Sequence, residues 1–315
     1  MISDEAKTNT NQYSAHALRG FFLLLLAVLF WGISAPLGKF LIVARFDTLI
    51  IAQTRTSLAF VLLLIFFLLK DRSIFRIKLR DIWKFAMLGV IGIAITNYTY
   101  YYTVKEASVA TAILVQYTAP VWIVLYSVLI IKEDRLDRIT IASLAVALVG
   151  CYFAVTSGSM QNINLKGWTI ITGPLSAVTF AYQVIGTKQL IKRYSIWTLL
   201  LYMFGFSAIF WLCINPPWNV LAKHYNYNDW GILWMFAIVS ILIPQIAFAF
   251  GLKFLDASTA GIISVMEPVI AIVAAFLILG ESLSVIQMFG GMMVLLAVGL
   301  LQARPMKMRK VMKIE

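Results

Sequence analysis

The sequence predicts an all-α integral membrane protein: ten transmembrane helices in two inverted five-helix repeats, with both termini cytoplasmic. Three observations carry this. Of the 315 residues 61% are hydrophobic and only 13% charged, whereas soluble domains are nearer half apolar and about a quarter charged. The apolar residues gather in runs long enough to cross a hydrocarbon core roughly 30 Å thick as helices. The second half of the chain also repeats features of the first.

Taken in order, a polar cytoplasmic tail occupies 1–17 and lacks the basic start and small-residue cleavage site of a secretory signal. The first apolar run is therefore expected to stay as a span. Spans follow near 18–41, 47–69, 82–104, 108–131 and 138–156, forming a first repeat over 18–156. The second repeat, 157–302, holds spans near 166–187, 195–215, 229–252, 257–280 and 283–302, and a basic cytoplasmic tail fills 303–315. The runs are apolar on nearly every face, and in lipid only a helix satisfies the backbone of such a run within itself.

The net charge of +12 sits in short basic clusters between apolar runs, the pattern of cytoplasmic loops and not of a nucleic-acid surface. With the N-terminus inside, the inner loops and tails carry 20 Lys and Arg against 5 outside. Cys151 and Cys213 are isolated, and His16 and His224 lie outside the spans, so neither a disulfide framework nor a metal site is indicated. No phosphate-binding glycine loop is present, and no cofactor is expected.

The duplication is read from Ala107-Ser108 and Ala257-Ser258, 150 residues apart, and from Pro120 and Pro268, each followed 13 residues later by a glutamate, Glu133 and Glu281. The same 150-residue offset pairs Tyr98 with Phe248, Tyr100 with Phe250 and Glu106 with Asp256. An odd number of spans per half makes the second half lie upside down relative to the first.

Five prolines fall inside spans, at Pro36, Pro120, Pro174, Pro244 and Pro268. Each frees the carbonyl four residues back, at Gly32, Gln116, Ile170, Ser240 and Ser264, which membrane depth tolerates only against protein or a water-filled cavity. Each proline alone can also kink a helix for packing. As a symmetric set they place spans 1, 3, 4, 6, 8 and 9 around a central cavity. Polar residues at similar depth are Gln53, Arg55, Asn97, Gln116, Gln183, Gln245 and Glu267. An amide alone can serve a helix-to-helix hydrogen bond, and Arg55 can snorkel outward or cap a helix end. Glu267 has too short a stem to snorkel from mid-span, so it is expected to sense substrate or a proton. Aromatic residues are dense around these positions, and those facing the cavity would stack on an aromatic or cationic group.

The candidate substrate-binding residues are therefore Trp31, Asn97, Tyr98, Tyr101, Gln116, Tyr117, Tyr182, Gln183, Gln245, Phe248 and Glu267, with Glu267 also the coupling residue. Pro36, Arg55, Pro120, Pro174, Pro244 and Pro268 are assigned structural roles at helix breaks and caps.

The paired Ala-Ser and proline segments, ending in Lys132-Glu133 or Gly280-Glu281, resemble the ten-helix EamA-type branch of the drug/metabolite transporter superfamily. So do Phe30-Trp31-Gly32, Arg55 and the Glu267-Pro268 step. The resemblance implies an inverted-repeat carrier with a central pocket, exporting small organic molecules across the bacterial cytoplasmic membrane. Where the second copy has Glu267 before its proline, the first has Ala119, so any acidic site is single.

The expected function is secondary active export of small amphipathic metabolites such as amino acids by alternating access, with proton coupling through Glu267 as one mechanism. A lipophilic-cation or drug exporter is the alternative within transport. A structural or lipid-scrambling membrane protein is the alternative outside it, and an enzyme is not expected because no intramembrane nucleophile-base pair is present. Partners are a small-molecule substrate and membrane lipid, not nucleic acid. Gly150, Gly290 and Gly291 can seat a helix contact within one chain or across a homodimer.

Overall fold

The structure, a computed structural model, describes residues 2–131, 137–163, 165–279 and 284–302. The helix ends expected at Lys132-Glu133 and Gly280-Glu281, together with Arg135 and the basic tail 303–315, lie outside the described residues. Among the described residues the fold is all helical, without a strand.

In the first half, α1 (Ile2–Ala44) leads into α2 (Thr48–Lys70). The helix α3 runs through Ile82–Met87, a π-helical stretch Leu88–Ile95, and Thr96–Glu106. In α4, Val109–Gln116 and Ala119–Tyr126 are separated by a break, and α5 is Arg138–Thr156. The second half repeats the plan with α6 (Thr169–Leu190) and α7 (Ile196–Ile214). Its α8 again contains a π-helical stretch, Ile238–Leu242, between Tyr227–Ala237 and Ile243–Phe254. Its α9 is broken between Ala257–Ser264 and Met266–Leu279, and α10 is Val285–Gln302.

Among the described residues, eight of these helices are long and apolar enough to cross a membrane: α1, α2 and α4 to α9. The run α3 stands outside that set, and the apolar stretch of α10, Val285–Leu301, is shorter.

Several expectations are corrected by these elements. The polar tail expected over 1–17 continues α1 back to Ile2, since no proline or glycine precedes Gly20 to stop it. The matching offset is 148 residues, not 150: Val109–Gln116 against Ala257–Ser264, and the N-caps Asp47 against Ser195 and Ser108 against Asp256, all agree on it. Pro36 and Pro174 do not interrupt their helices. Beside each, a serine hydroxyl donates to the carbonyl three residues back, Ser34 to Trp31 at 2.8 Å and Ser176 to Gly173 at 2.6 Å, helping to hold the local turn.

Packing follows the repeat. The helix α1 lies on α8 and α9, and its counterpart α6 lies on α3 and α4. The pairs α2–α7, α4–α9 and α5–α10 join equivalent helices of the two halves. The helices α2 and α7 are antiparallel: Gln53, near the start of α2, exchanges amide hydrogen bonds of 2.9 and 2.7 Å with Asn215 at the end of α7. At their other ends Phe67 packs on Trp197. Gln53 is thus spent on a helix-to-helix contact.

Lipid tails are as apolar as the helices, so packing in a bilayer rests on close van der Waals fit, which small residues permit. The α5–α10 seam shows this within one chain. A Cβ on Gly150 would lie 2.9 Å from the Gly290 carbonyl, and one on Gly290 would lie 2.3 Å from the Ala154 amide nitrogen. Gly291 is not in that seam and faces Val269. We expect Gly290→Val to force the two backbones apart and lower stability by about 1–3 kcal/mol, the usual range for overpacking. Thermal unfolding in detergent, with Gly299→Val as the control in open space, measures this.

Candidate functional site

The broken and π-containing helices, with α1, α2 and α6, line a partly open cavity whose empty space, open solvent included, is about 570 Å³. Its wall is built from α1 (Trp31, Ser34), α2 (Arg55), α3 (Ile93, Thr96, Asn97, Tyr100, Tyr101), α4 (Gln116), α6 (Phe180, Gln183), α8 (Ile241, Gln245) and α9 (Glu267). The repeat is visible in the wall itself. Ile93 and Ile241 are 148 residues apart, each within its π-helical stretch, and Asn97 and Gln245 are separated by the same interval.

Arg55 is 5% exposed and neither snorkels nor meets a carboxylate. Its Nε donates to Ser240 Oγ at 2.7 Å and its Nη2 to the Ser240 carbonyl at 2.6 Å. Its Nη1 donates to Asn97 Oδ1 at 2.9 Å and to the Tyr101 hydroxyl at 2.6 Å. The guanidinium also lies 5.0 Å from the Tyr101 ring centre and 5.4 Å from that of Phe236. The Ser240 carbonyl is the one that Pro244 deprives of its helical partner. Arg55 therefore meets the carbonyl that Pro244 frees, inside α8 and not at a helix end, while facing the cavity.

Glu267 sits in the first turn of the second segment of α9, where the amide ends of a helix favour negative charge. Its Oε2 accepts a hydrogen bond from the Tyr117 hydroxyl, and Tyr117 occupies the break in α4. The two helix breaks thus meet through one hydrogen bond. At the same level α1 comes close to α9: a Cβ on Gly32 would lie 2.7 Å from Ile270 and 3.0 Å from the Glu267 carbonyl.

Among the described residues, three cavity-wall side chains carry a buried polar atom without a hydrogen-bond partner: the Tyr100 hydroxyl, Gln116 Oε1 and Gln245 Nε2. Gln245 is otherwise tied, its Oε1 accepting from Gln183 Nε2 at 3.2 Å. Unpaired polar atoms of this kind cost about 1–3 kcal/mol each unless water or a ligand meets them.

Of the residues singled out in the sequence, the structure brings Trp31, Asn97, Tyr101, Gln116, Gln183, Gln245 and Glu267 to the cavity, with Tyr117 behind Glu267. Tyr98, Tyr182 and Phe248 are not brought there. Tyr98 packs on Tyr102 and Trp211, because it lies about 100° round the helix from Asn97. Tyr182 packs into the apolar cluster with α7. Phe248 is fully buried behind Trp31, ring centres 5.1 Å apart. Residues the sequence reading did not select are Ser34, Ile93, Thr96, Tyr100, Phe180 and Ile241. Tyr100 carried a usable signal, since it falls on the same helical face as Asn97 and Tyr101.

A helical bundle that leaves a polar cavity with one carboxylate and one guanidinium at mid-span has the build of a membrane carrier for small molecules. The EamA-like transporter family matches residues 18–156 and 167–302, and the chain belongs to that family. It is a multi-pass membrane transporter. It is 26% identical over 213 residues to an uncharacterized transporter of Archaeoglobus fulgidus, covering 66% of this chain and 74% of that one. It is 22% identical over 286 residues to the uncharacterized inner membrane transporter YicL of Salmonella typhimurium, covering 89% and 94%. It is 24% identical over 180 residues to the pseudopaline exporter CntI of Pseudomonas aeruginosa, covering 57% and 61%. A solved crystal structure shares the fold with a TM-score of 0.71 at 16% identity, covering 90% of this chain and 96% of that one.

Replacing Arg55 by lysine keeps the charge and loses the planar fork. We expect Arg55→Lys to leave at least one of Ser240 O, Asn97 Oδ1 and Tyr101 Oη unmet and to cost roughly 2–4 kcal/mol. A drop in detergent melting temperature larger than that of Arg72→Lys, an exposed control, measures it.

Proposed function

We propose that the chain is a ten-span inverted-repeat carrier that exports small zwitterionic metabolites, amino acids foremost, by alternating access. In this reading both termini and the tails 1–17 and 303–315 face the cytoplasm, and 18–156 and 157–302 are the repeats that rock about the cavity. No chemical conversion of the substrate is involved.

The observation that carries the reading is the placement of Glu267 and Arg55 on one cavity, each held by neutral partners and neither neutralised by the other. A zwitterion complements that arrangement. Its ammonium group meets Glu267, Gln116 Oε1 and the Tyr100 hydroxyl, and its carboxylate lies toward Gln245 Nε2 and the Arg55 side. Trp31, backed by Phe180 and Phe248, gives the apolar part a flat aromatic surface. The relation to a protein named as an exporter supports outward transport. A lipophilic cation is the second reading, favoured by the same carboxylate beside aromatic rings. Glu267 is the group through which a proton would couple.

The test is uptake of radiolabelled amino acids, with a lipophilic cation alongside, into everted vesicles bearing the parent protein or Glu267→Gln at two pH values. Accumulation of an amino acid by the parent, lowered at least tenfold or made insensitive to pH in Glu267→Gln, is the expected result. Accumulation of the cation alone transfers the assignment to the second reading. Equal accumulation by parent and variant removes Glu267 from the site.

A further inference from the structure

Outside the cavity, two buried aspartates stand at matching places in the two halves. Asp81 immediately precedes α3 and Asp229 lies in the first turn of α8, 148 residues later; they are 2% and 4% exposed. Each is held by a residue from the opposite half. Arg45, in the turn between α1 and α2, reaches Asp229 with Nη2 at 3.0 Å. Tyr194, in the turn between α6 and α7, donates its hydroxyl to Asp81 at 2.7 Å.

The surroundings correspond as well. Phe46 packs in one cluster with Leu233, and its counterpart Tyr194 packs on Phe85, the counterpart of Leu233, with ring centres 5.1 Å apart. The next residues, Asp47 and Ser195, are the N-caps of α2 and α7. Secondary contacts reinforce each cluster: Lys223 to Asp47 at 3.4 Å on one side, and Tyr202 to the Phe75 carbonyl at 2.8 Å on the other. Because α2 and α7 are antiparallel, with Gln53 beside Asn215 and Phe67 beside Trp197, the two clusters lie at opposite ends of the bundle.

We propose that these are two latches, Arg45–Asp229 and Tyr194–Asp81, each fastening one half of the protein to the other at one membrane face and each released when the cavity opens to that face. The inference rests on the alternating-access reading above. Contacts that cross between rocking halves at a face must part for the cavity to open there, and contacts at the far face keep it closed. The latches differ in chemistry: the Arg45 latch is an ion pair with a half-exposed arginine, and the Tyr194 latch is a neutral donor on a carboxylate that Lys84 also holds at 2.6 Å.

The test needs no substrate. In full-length protein carrying Cys213→Ala, a cysteine is placed on the cavity wall as Ser34→Cys, and its labelling by a membrane-impermeant maleimide is followed in right-side-out and everted vesicles. A parallel protein without Ser34→Cys sets the background from buried Cys151. Arg45→Gln and Tyr194→Phe each cut one latch and spare both aspartates. Arg45→Gln is expected to raise labelling from the outer face roughly fivefold and Tyr194→Phe from the cytoplasmic face by a similar factor, the population shift for losing one such contact. Lys223→Gln serves as a second outer variant and shifts labelling in the same direction as Arg45→Gln. Labelling that rises at the same face for both variants, or at neither, overturns the latches and leaves any measured accumulation standing. Shifts to opposite faces with the sides exchanged support the latches and overturn the assigned orientation.

Discussion

A proline within a helix at membrane depth frees a carbonyl that lipid cannot satisfy, and much of the cavity wall is organised around meeting that need at Ser240. The Arg55 guanidinium supplies two donors to Ser240 and two more to α3, so one side chain ties α2, α3 and α8 together. Burying a cation without a carboxylate partner is expensive. Here the expense is reduced by oriented neutral acceptors and two aromatic faces. The result is a positive charge held rigidly at the cavity wall, which no flexible surface arginine would provide.

Repeat symmetry explains the frame, and departures from it explain the chemistry. The breaks in α4 and α9, the π-helical stretches in α3 and α8 and the buried aspartates at the starts of α3 and α8 all recur at 148 residues. The charged wall residues do not recur. The counterpart of Arg55 is Met203 and that of Glu267 is Ala119. Asn97 and Gln245 keep equivalent places but take different partners, Arg55 in one half and Gln183 in the other.

The sequence made the helical runs, the paired breaks at Pro120 and Pro268 and the isolation of Glu267 legible, because each is a conflict between a residue and the bilayer that local composition exposes. Arg55 was visible as a cation at depth and the Ser240 carbonyl as one that Pro244 frees, but their meeting across α2 and α8 is a tertiary contact that local sequence does not mark. The π-helical stretches left no such mark. Leu88–Ile95 and Ile238–Leu242 are ordinary apolar sequence, and the extra residue per turn they introduce sets which face of α3 meets the cavity. The Ala-Ser pairs misled by two residues, since Ala257-Ser258 starts one turn of α9 while Ser108 is matched in the structure by Asp256.

Because Arg55 and Glu267 come from different helices with no charged counterparts in the repeat, the cavity wall is chemically asymmetric, with a guanidinium and a carboxyl group at non-equivalent places. A symmetric pocket would accept a guest in two orientations related by the pseudo-two-fold axis. A wall with the two groups at non-equivalent places would distinguish them for a zwitterionic guest. On the proposed reading, a molecule with separated charges would be held in one pose, whereas a guest without a dipole would gain nothing from either end and keep its rotational freedom.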